Sequence, residues 1–108
     1  MEKDINVWLQ HIREAIDIID VHMQGCSFEE FQKSITIQDA VIRRVEIIGE
    51  AVNNIPEDFI QKHPEVEWLD IISMRNILAH EYFGVKLKIV WDTVKTDLPK
   101  LKEQLNKL

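Results

Sequence analysis

Apolar residues recur every three or four positions along most of this 108-residue chain. This spacing is typical of amphipathic helices, and the alternation typical of β-strands does not occur in the sequence. Four main helices are predicted: about residues 4–24, from Ser34 or Thr36 to about Asn53, from Val66 to a stop at Gly84, and from Leu87 to Leu108. We therefore expect an all-α, up-and-down helical bundle with one or two additional short helices.

Capping residues and prolines mark where these helices should begin and end. Asp4 is a suitable N-cap for the first helix, and Ser27-Phe28-Glu29-Glu30 matches a capping box that opens a short helix. Pro56 suits the first position of a second short helix. Pro99 should kink or divide the last helix near Asp97, because proline has no backbone N–H.

The composition is that of an ordinary globular chain, with 45% hydrophobic and 30% charged residues. No apolar run approaches the roughly 20 residues of a membrane span. The N-terminus lacks the pattern of a signal peptide, and the single Cys26 cannot form an internal disulfide. We expect one domain over residues 1–108, located in the cytoplasm and without a membrane partner.

The charge distribution is uneven. The net charge of −6 argues against a protein that binds nucleic acid over its whole surface. Residues 86–108 carry six basic and three acidic side chains, a net of +3, so residues 1–85 carry the remaining −9. The basic C-terminal segment could guide a polyanion, although a solvated helix face is the commoner explanation.

The densest set of chemically active side chains lies in residues 74–82. Arg75 and Tyr82 are seven residues apart and Asn76 and His80 are four apart, so on a continuous helix all four converge on one side. Arginine binds phosphate through its planar fork, and histidine changes charge near neutral pH. The set suits charge stabilisation and proton transfer at a phosphate. An ordinary structural role for each residue, such as an ion pair or a helix-end contact, is the alternative.

A charged stripe and a glycine mark the second main helix. The stripe consists of Asp39, Arg43, Glu46 and Glu50. Gly49 lies mid-helix, where glycine costs up to ~1 kcal/mol relative to alanine, so we expect it to admit another backbone at close range beside Glu50. The stripe is either a solvated face of ion pairs or the source of a carboxylate, from Glu50 or Asp39, that orients Arg75.

The sequence offers little for metal or cofactor binding. The four histidines include no pair at helical i, i+4 spacing, and there is no cluster of cysteines. The three glycines are isolated and form no nucleotide-binding loop. We expect neither a metal nor a cofactor.

The segment Arg75-Asn76-Ile77-Leu78-Ala79-His80-Glu81-Tyr82 matches the R-x-x-x-x-H-x-Y signature of the HEPN superfamily. Its surroundings resemble the HepT-like branch, notably Ile47-Ile48-Gly49-Glu50-Ala51 upstream and Val90-Trp91 with Leu98-Pro99 downstream. The resemblance covers nearly the whole chain. It implies an all-α homodimer that acts as the RNase toxin of a toxin–antitoxin pair. It also implies a partner, a nucleotidyltransferase antitoxin of the MntA type, that silences the toxin by transferring AMP from ATP to Tyr82.

The expected function is therefore metal-independent cleavage of RNA in a cleft between two copies of the motif. His80 would be the general acid or base, Arg75 would stabilise the phosphorane, and Asn76 would orient the phosphate or His80. Asp39, Arg43 and Glu50 would support them, with Glu50 or Asp39 holding Arg75. The competing interpretation is a helical dimer without catalysis that binds a nucleotidyltransferase or a nucleotide through the same polar face. A purely structural helical protein is a third.

Overall fold

The computed structural model describes the backbone of residues 4–80 and 87–108 and the side chains of residues 4–76 and 87–108. The helices are α1 (Ile5–Met23), α2 (Phe28–Lys33), α3 (Ile35–Asn53), α4 (Glu57–Lys62), α5 (Trp68–His80), α6 (Leu87–Asp92) and α7 (Leu98–Asn106). A π-helical turn, Thr93–Asp97, joins α6 to α7, so these three segments form one rod. Four long helical units and two short helices agree with the predicted all-α bundle. Within the described ranges, none of the helices is long and apolar enough to cross a membrane.

The first two helices begin where side chains satisfy their free N–H groups. The Asp4 carboxylate accepts a hydrogen bond from the Asn6 N–H at 2.9 Å. Ser27 Oγ accepts one from the Glu30 N–H at 3.1 Å and donates to the Glu30 carboxylate at the same distance. The first N–H groups of a helix have no partner within it, so these contacts define where α1 and α2 start. Both predicted caps are confirmed.

Ser34 and Pro56 mark where the next two helices, α3 and α4, begin. Ser34 opens α3, because its Oγ accepts a hydrogen bond from the Ile37 N–H at 3.2 Å. Thr36, the alternative, already lies inside the helix. Pro56 was predicted to be the first helical residue of α4, but it precedes the helix as its N-cap. Its backbone is extended there, with φ −58° and ψ 143°, so Glu57 begins the helix.

The last rod is divided near Asp97, as Pro99 predicted, although a wider turn takes the place of a break. Pro99 has no N–H to donate to the carbonyl of Lys95 one turn earlier. The preceding residues, Thr93–Asp97, form the π-helical turn and carry the chain past this missing bond. The Thr93 hydroxyl donates to the Ile89 carbonyl at 2.9 Å, which satisfies a polar group inside the bundle.

The core lies between α1, α3 and the last rod. Its largest fully buried side chains are Ile12, Ile16, Ile19, Phe31, Val41, Ile48, Val52, Val90 and Leu105. Two polar contacts fasten α7 to α1. Arg13 donates to the Leu105 carbonyl at 2.9 Å, and Lys102 pairs with Asp17 at 2.6 Å. Helix α5 packs along α3 as well.

The start of α5 is anchored by Trp68. Its side chain is buried, and its indole N–H donates to the His63 carbonyl at 2.9 Å. This bond holds the first turn of α5 against the end of α4. The residues that follow on α5 include Arg75 and Asn76, so this anchor positions the segment that carries the candidate chemistry.

Candidate functional site

Helix α5 meets α3 at Gly49, and the residue that touches this glycine is Arg75. A β-carbon built on Gly49 would overlap Arg75 Cβ and lie only 2.6 Å from Arg75 Cγ. Carbon atoms prefer about 3.5–4.0 Å, so no larger residue fits at position 49 without displacing α5. The prediction that Gly49 admits another backbone is confirmed, and the approaching segment is the one that carries Arg75.

Arg75 is half-buried, with the base of its side chain pressed against α3. Its Nη1 donates to Asn76 Oδ1 at 2.7 Å, a short hydrogen bond to the next residue of the helix. Asn76 itself is exposed. The guanidinium has five N–H donors, so the bond to Asn76 orients the group and occupies only one of them. Gly49 holds the stem of Arg75, and Asn76 orients its head.

His80 is the last residue of α5, so Asn76 and His80 lie one helical turn apart on a continuous backbone. This register agrees with the predicted shared face. The side chain of His80, the whole of Tyr82 and the predicted helix end at Gly84 lie outside the described residues. The convergence of all four polar groups therefore stays a prediction.

The charged stripe of α3 lies mostly in solvent. Asp39, Arg43 and Glu50 are exposed. Arg43 Nη1 and Glu46 Oε2 form an ion pair at 3.6 Å, three residues apart on the helix. Exposed pairs of this kind contribute at most about 1 kcal/mol. The solvated-face interpretation therefore describes this part of the stripe.

Glu50 follows the contact glycine directly, at the point where α3 and α5 meet. Its backbone carbonyl accepts a hydrogen bond from the Asn54 side chain at 2.8 Å, which stabilises the end of α3. A role for the carboxylates of Glu50 or Asp39 in orienting Arg75 stays a prediction. Gly49 is the member of this segment whose contact with Arg75 the structure establishes.

Metal-binding clusters of three or more histidine, cysteine, aspartate or glutamate side chains are absent from the part of the chain that the structure describes. Cys26 is half-buried and its thiol lies 3.4 Å from the Ser27 carbonyl, a local contact at the start of α2. The chemistry available at the α3–α5 junction is therefore that of a guanidinium and an amide, with an imidazole one turn further along the backbone.

Comparisons with known proteins show which family the chain is similar to. The sequence model of the family described as "Ribonuclease HepT-like" matches residues 12–108. "Probable ribonuclease HepT" of Thermococcus cleftensis is 44% identical over 108 residues, which is all of this chain and 98% of that protein. A "putative RNase" of Caldanaerobacter subterraneus subsp. tengcongensis is 41% identical over 94% of this chain and 90% of its own length.

A third relative is longer. The "Gamma-glutamylcyclotransferase and putative RNase" of Methanocaldococcus jannaschii is 44% identical over the whole of this chain, which spans 49% of that protein. No solved structure gives a significant match. The family match covers most of the chain, including all of α3 and α5, and it confirms the resemblance drawn from the motif. The chain belongs to the HepT-like ribonuclease family.

Proposed function

We propose that this chain is a metal-independent endoribonuclease, the toxin of a toxin–antitoxin pair, and that it acts as a homodimer. The observation that carries the proposal is the contact between Gly49 and Arg75, within a chain of a ribonuclease family. Glycine is costly in the middle of a helix, and here it leaves room for the Cβ and Cγ atoms of Arg75. That arginine is followed by Asn76, and by His80 five residues later on the same helix.

In the proposed reaction, the ribose 2′-oxygen attacks the adjacent phosphorus, and the bond from phosphorus to the 5′-oxygen breaks. His80 removes the 2′-OH proton or protonates the departing 5′-oxygen, and the products carry a 2′,3′-cyclic phosphate and a 5′-OH. Two protomers facing each other supply two imidazoles, so one can act as the base and the other as the acid. Arg75 stabilises the added negative charge of the phosphorane, with Asn76 holding its guanidinium.

Cleavage of RNA in the presence of EDTA tests the catalytic proposal. Replacement of His80 by Ala should reduce the rate by about 10²–10⁴-fold, the usual contribution of a general acid or base. The matched control is His22→Ala, which removes an exposed imidazole from the last turn of α1 and should leave the rate unchanged. Arg75→Lys keeps the positive charge but should still lose activity, because lysine cannot form the bidentate contact.

The expected product has cyclic phosphate ends, which mass spectrometry of a short oligonucleotide can identify. Full activity in both Arg75→Ala and His80→Ala would refute the mechanism. Loss of activity with EDTA would refute its metal independence. A variant held as a monomer, verified by sedimentation, should be inactive even though its helical content is unchanged.

Control by AMP transfer to Tyr82 is the second part of the proposal, and the resemblance to HepT-like toxins supports it. AMP adds bulk and negative charge, and on a continuous helix Tyr82 would share a face with Arg75. Incubation with ATP and a nucleotidyltransferase of the MntA type should give an adduct in the intact mass. Tyr82→Phe should abolish that adduct, and its persistence in this variant would reject Tyr82 as the modified residue.

A further inference from the structure

An apolar pocket of about 220 Å³ lies between α5 and the last rod, with α3 as its floor. Its apolar lining consists of Val45, Ile48, Ile71, Met74, Leu98 and Leu101. An apolar cavity of about 150 Å³ in another protein is large enough to bind benzene, so this pocket can hold a ring of that size with a short substituent. It is smaller than the roughly 300–1,000 Å³ of sites for drug-sized molecules, which restricts the occupant to a small compound.

The π-helical turn forms one wall of this pocket. Both of its end residues, Thr93 and Asp97, line the pocket. Such turns are rare and occur frequently at functional sites, because they displace side chains from the regular helical register. The Thr93 hydroxyl is already bonded to the Ile89 carbonyl, so the polar atom of this wall that remains for a ligand is the carboxylate of Asp97.

The mouth of the pocket carries more negative than positive charge. Glu67, Asp70 and Asp97 line it together with Lys100, whose ammonium group pairs with Glu67 at 2.6 Å. Partial burial of its carboxyl group and the nearby carboxylates of Glu67 and Asp70 raise the pKa of Asp97. Three carboxylates against one ammonium leave a net charge of −2 at the rim when all are ionised. A second cation at Asp97 would therefore be stabilised.

We propose that this pocket binds a small organic cation, a primary ammonium group on an apolar body of about the size of a benzene ring. The apolar body packs against Ile71, Met74 and Leu101, and the ammonium group lies at the Asp97 carboxylate. A neutral compound of the same shape gains only the apolar contacts. A carboxylate of the same shape meets the negative rim and is repelled.

Benzylamine, benzyl alcohol and benzoate form a matched set of probes with one ring and three charges. The chain contains three methionines, and Met74 lines the pocket whereas Met23 is buried at the end of α1. Carbon-13 labelling of the methionine methyl groups therefore gives a reporter and an internal reference in one spectrum. Benzylamine should shift the Met74 signal saturably and leave Met23 unchanged. It should bind about tenfold more tightly than benzyl alcohol, the factor expected for a hydrogen bond to a charged group, and benzoate should not bind.

Three variants separate the contributions of charge and shape. Asp97→Asn should remove the preference for benzylamine over benzyl alcohol while both still bind. Ser73→Leu places an apolar side chain at the mouth and should weaken both. Glu103→Gln removes a carboxylate from the exposed side of α7 and should change neither.

Three results would overturn the assignment. The first is a Met74 signal that does not respond to benzylamine, and the second is equal affinity for benzylamine and benzyl alcohol in the unmodified chain. The third is a Met74 response to benzylamine that is lost as the protein concentration rises, because the pocket would then be covered by a second copy of the chain.

Discussion

Replacement of Gly49 by alanine should separate the role of the α3–α5 contact from ordinary helix stability. Alanine in the middle of a helix normally stabilises it by about 0.5–1 kcal/mol relative to glycine. Here the new methyl group overlaps Arg75 Cβ and lies 2.6 Å from Arg75 Cγ. The predicted effect therefore has the opposite sign from the one that helix propensity suggests.

The size of the effect follows from the displacement that the methyl group demands. Carbon–carbon contacts relax at about 3.5–4.0 Å, so Arg75 must move by roughly 1 Å. Overpacking of this kind costs about 1–3 kcal/mol, and after the propensity gain a net loss of about 1–2 kcal/mol remains. For a domain of this length that loss lowers the melting temperature by roughly 5–15 °C. A 1 Å misplacement of a catalytic group can reduce a reaction rate by about 10²-fold.

Gly25→Ala is the matched control. Gly25 has φ +70°, and a β-carbon added there meets nothing within 4 Å. Alanine is strained in this conformation by roughly 1–2 kcal/mol, so the two variants should lose similar stability by different routes. Circular dichroism at 222 nm measures unfolding, and RNA cleavage is compared at a temperature where both variants are folded.

Only Gly49→Ala should lose cleavage activity, because only its methyl group displaces Arg75. A rise in melting temperature for Gly49→Ala would refute the close contact itself. Equal cleavage rates in the two alanine variants would refute its role in positioning Arg75, while the stability result would still stand.

Two further predictions concern stability. Asp97→Asn should raise the melting temperature at neutral pH, because partial burial and the Glu67 and Asp70 carboxylates raise the pKa of Asp97 and so disfavour its charged form in the folded state. Between the ordinary pKa of 3.8 and the raised pKa of the folded state, the folded state binds more protons than the unfolded state. The advantage of Asn should therefore be complete above the raised pKa and disappear as the pH is lowered below 3.8. An advantage that does not depend on pH would contradict this cause. Ser34→Ala should cost about 1 kcal/mol in urea unfolding through loss of the α3 cap, and Ser34→Asp, which can accept the same hydrogen bond, should recover most of it.

The helix boundaries could be predicted because their causes are local. Asp4, Ser27 and Ser34 each bond an N–H within three residues along the chain, and such contacts are legible from residue type and spacing. Pro99 showed that the last helix must be disturbed. Proline removes one hydrogen bond but does not specify how the chain accommodates the loss, so the π-helical turn could be found only in the structure.

The candidate site could be predicted only in part. The cost of a mid-helix glycine signalled that some backbone approaches Gly49, but the identity of its partner depends on how two helices pack. The pocket could not be anticipated, since Ile71, Met74 and Leu101 have the spacing of ordinary core residues. Its charged rim is assembled from Asp70 and Asp97, which are far apart in the chain.

The π-helical turn also determines which changes of chain length the last rod can tolerate. The bond from the Leu98 N–H to the Thr93 carbonyl spans five residues, whereas the bonds of an α-helix span four. The turn therefore holds one residue more than an α-helical turn, and the helix on either side of it stays in phase. Deleting one residue, such as the exposed Thr96, would let this segment close as α-helix with Leu101 and Leu105 still in the core and Lys102 still beside Asp17. Inserting a further residue would instead rotate α7 by about 100° and carry Leu101 and Leu105 out of the core. In this segment a shorter chain should be tolerated better than a longer one.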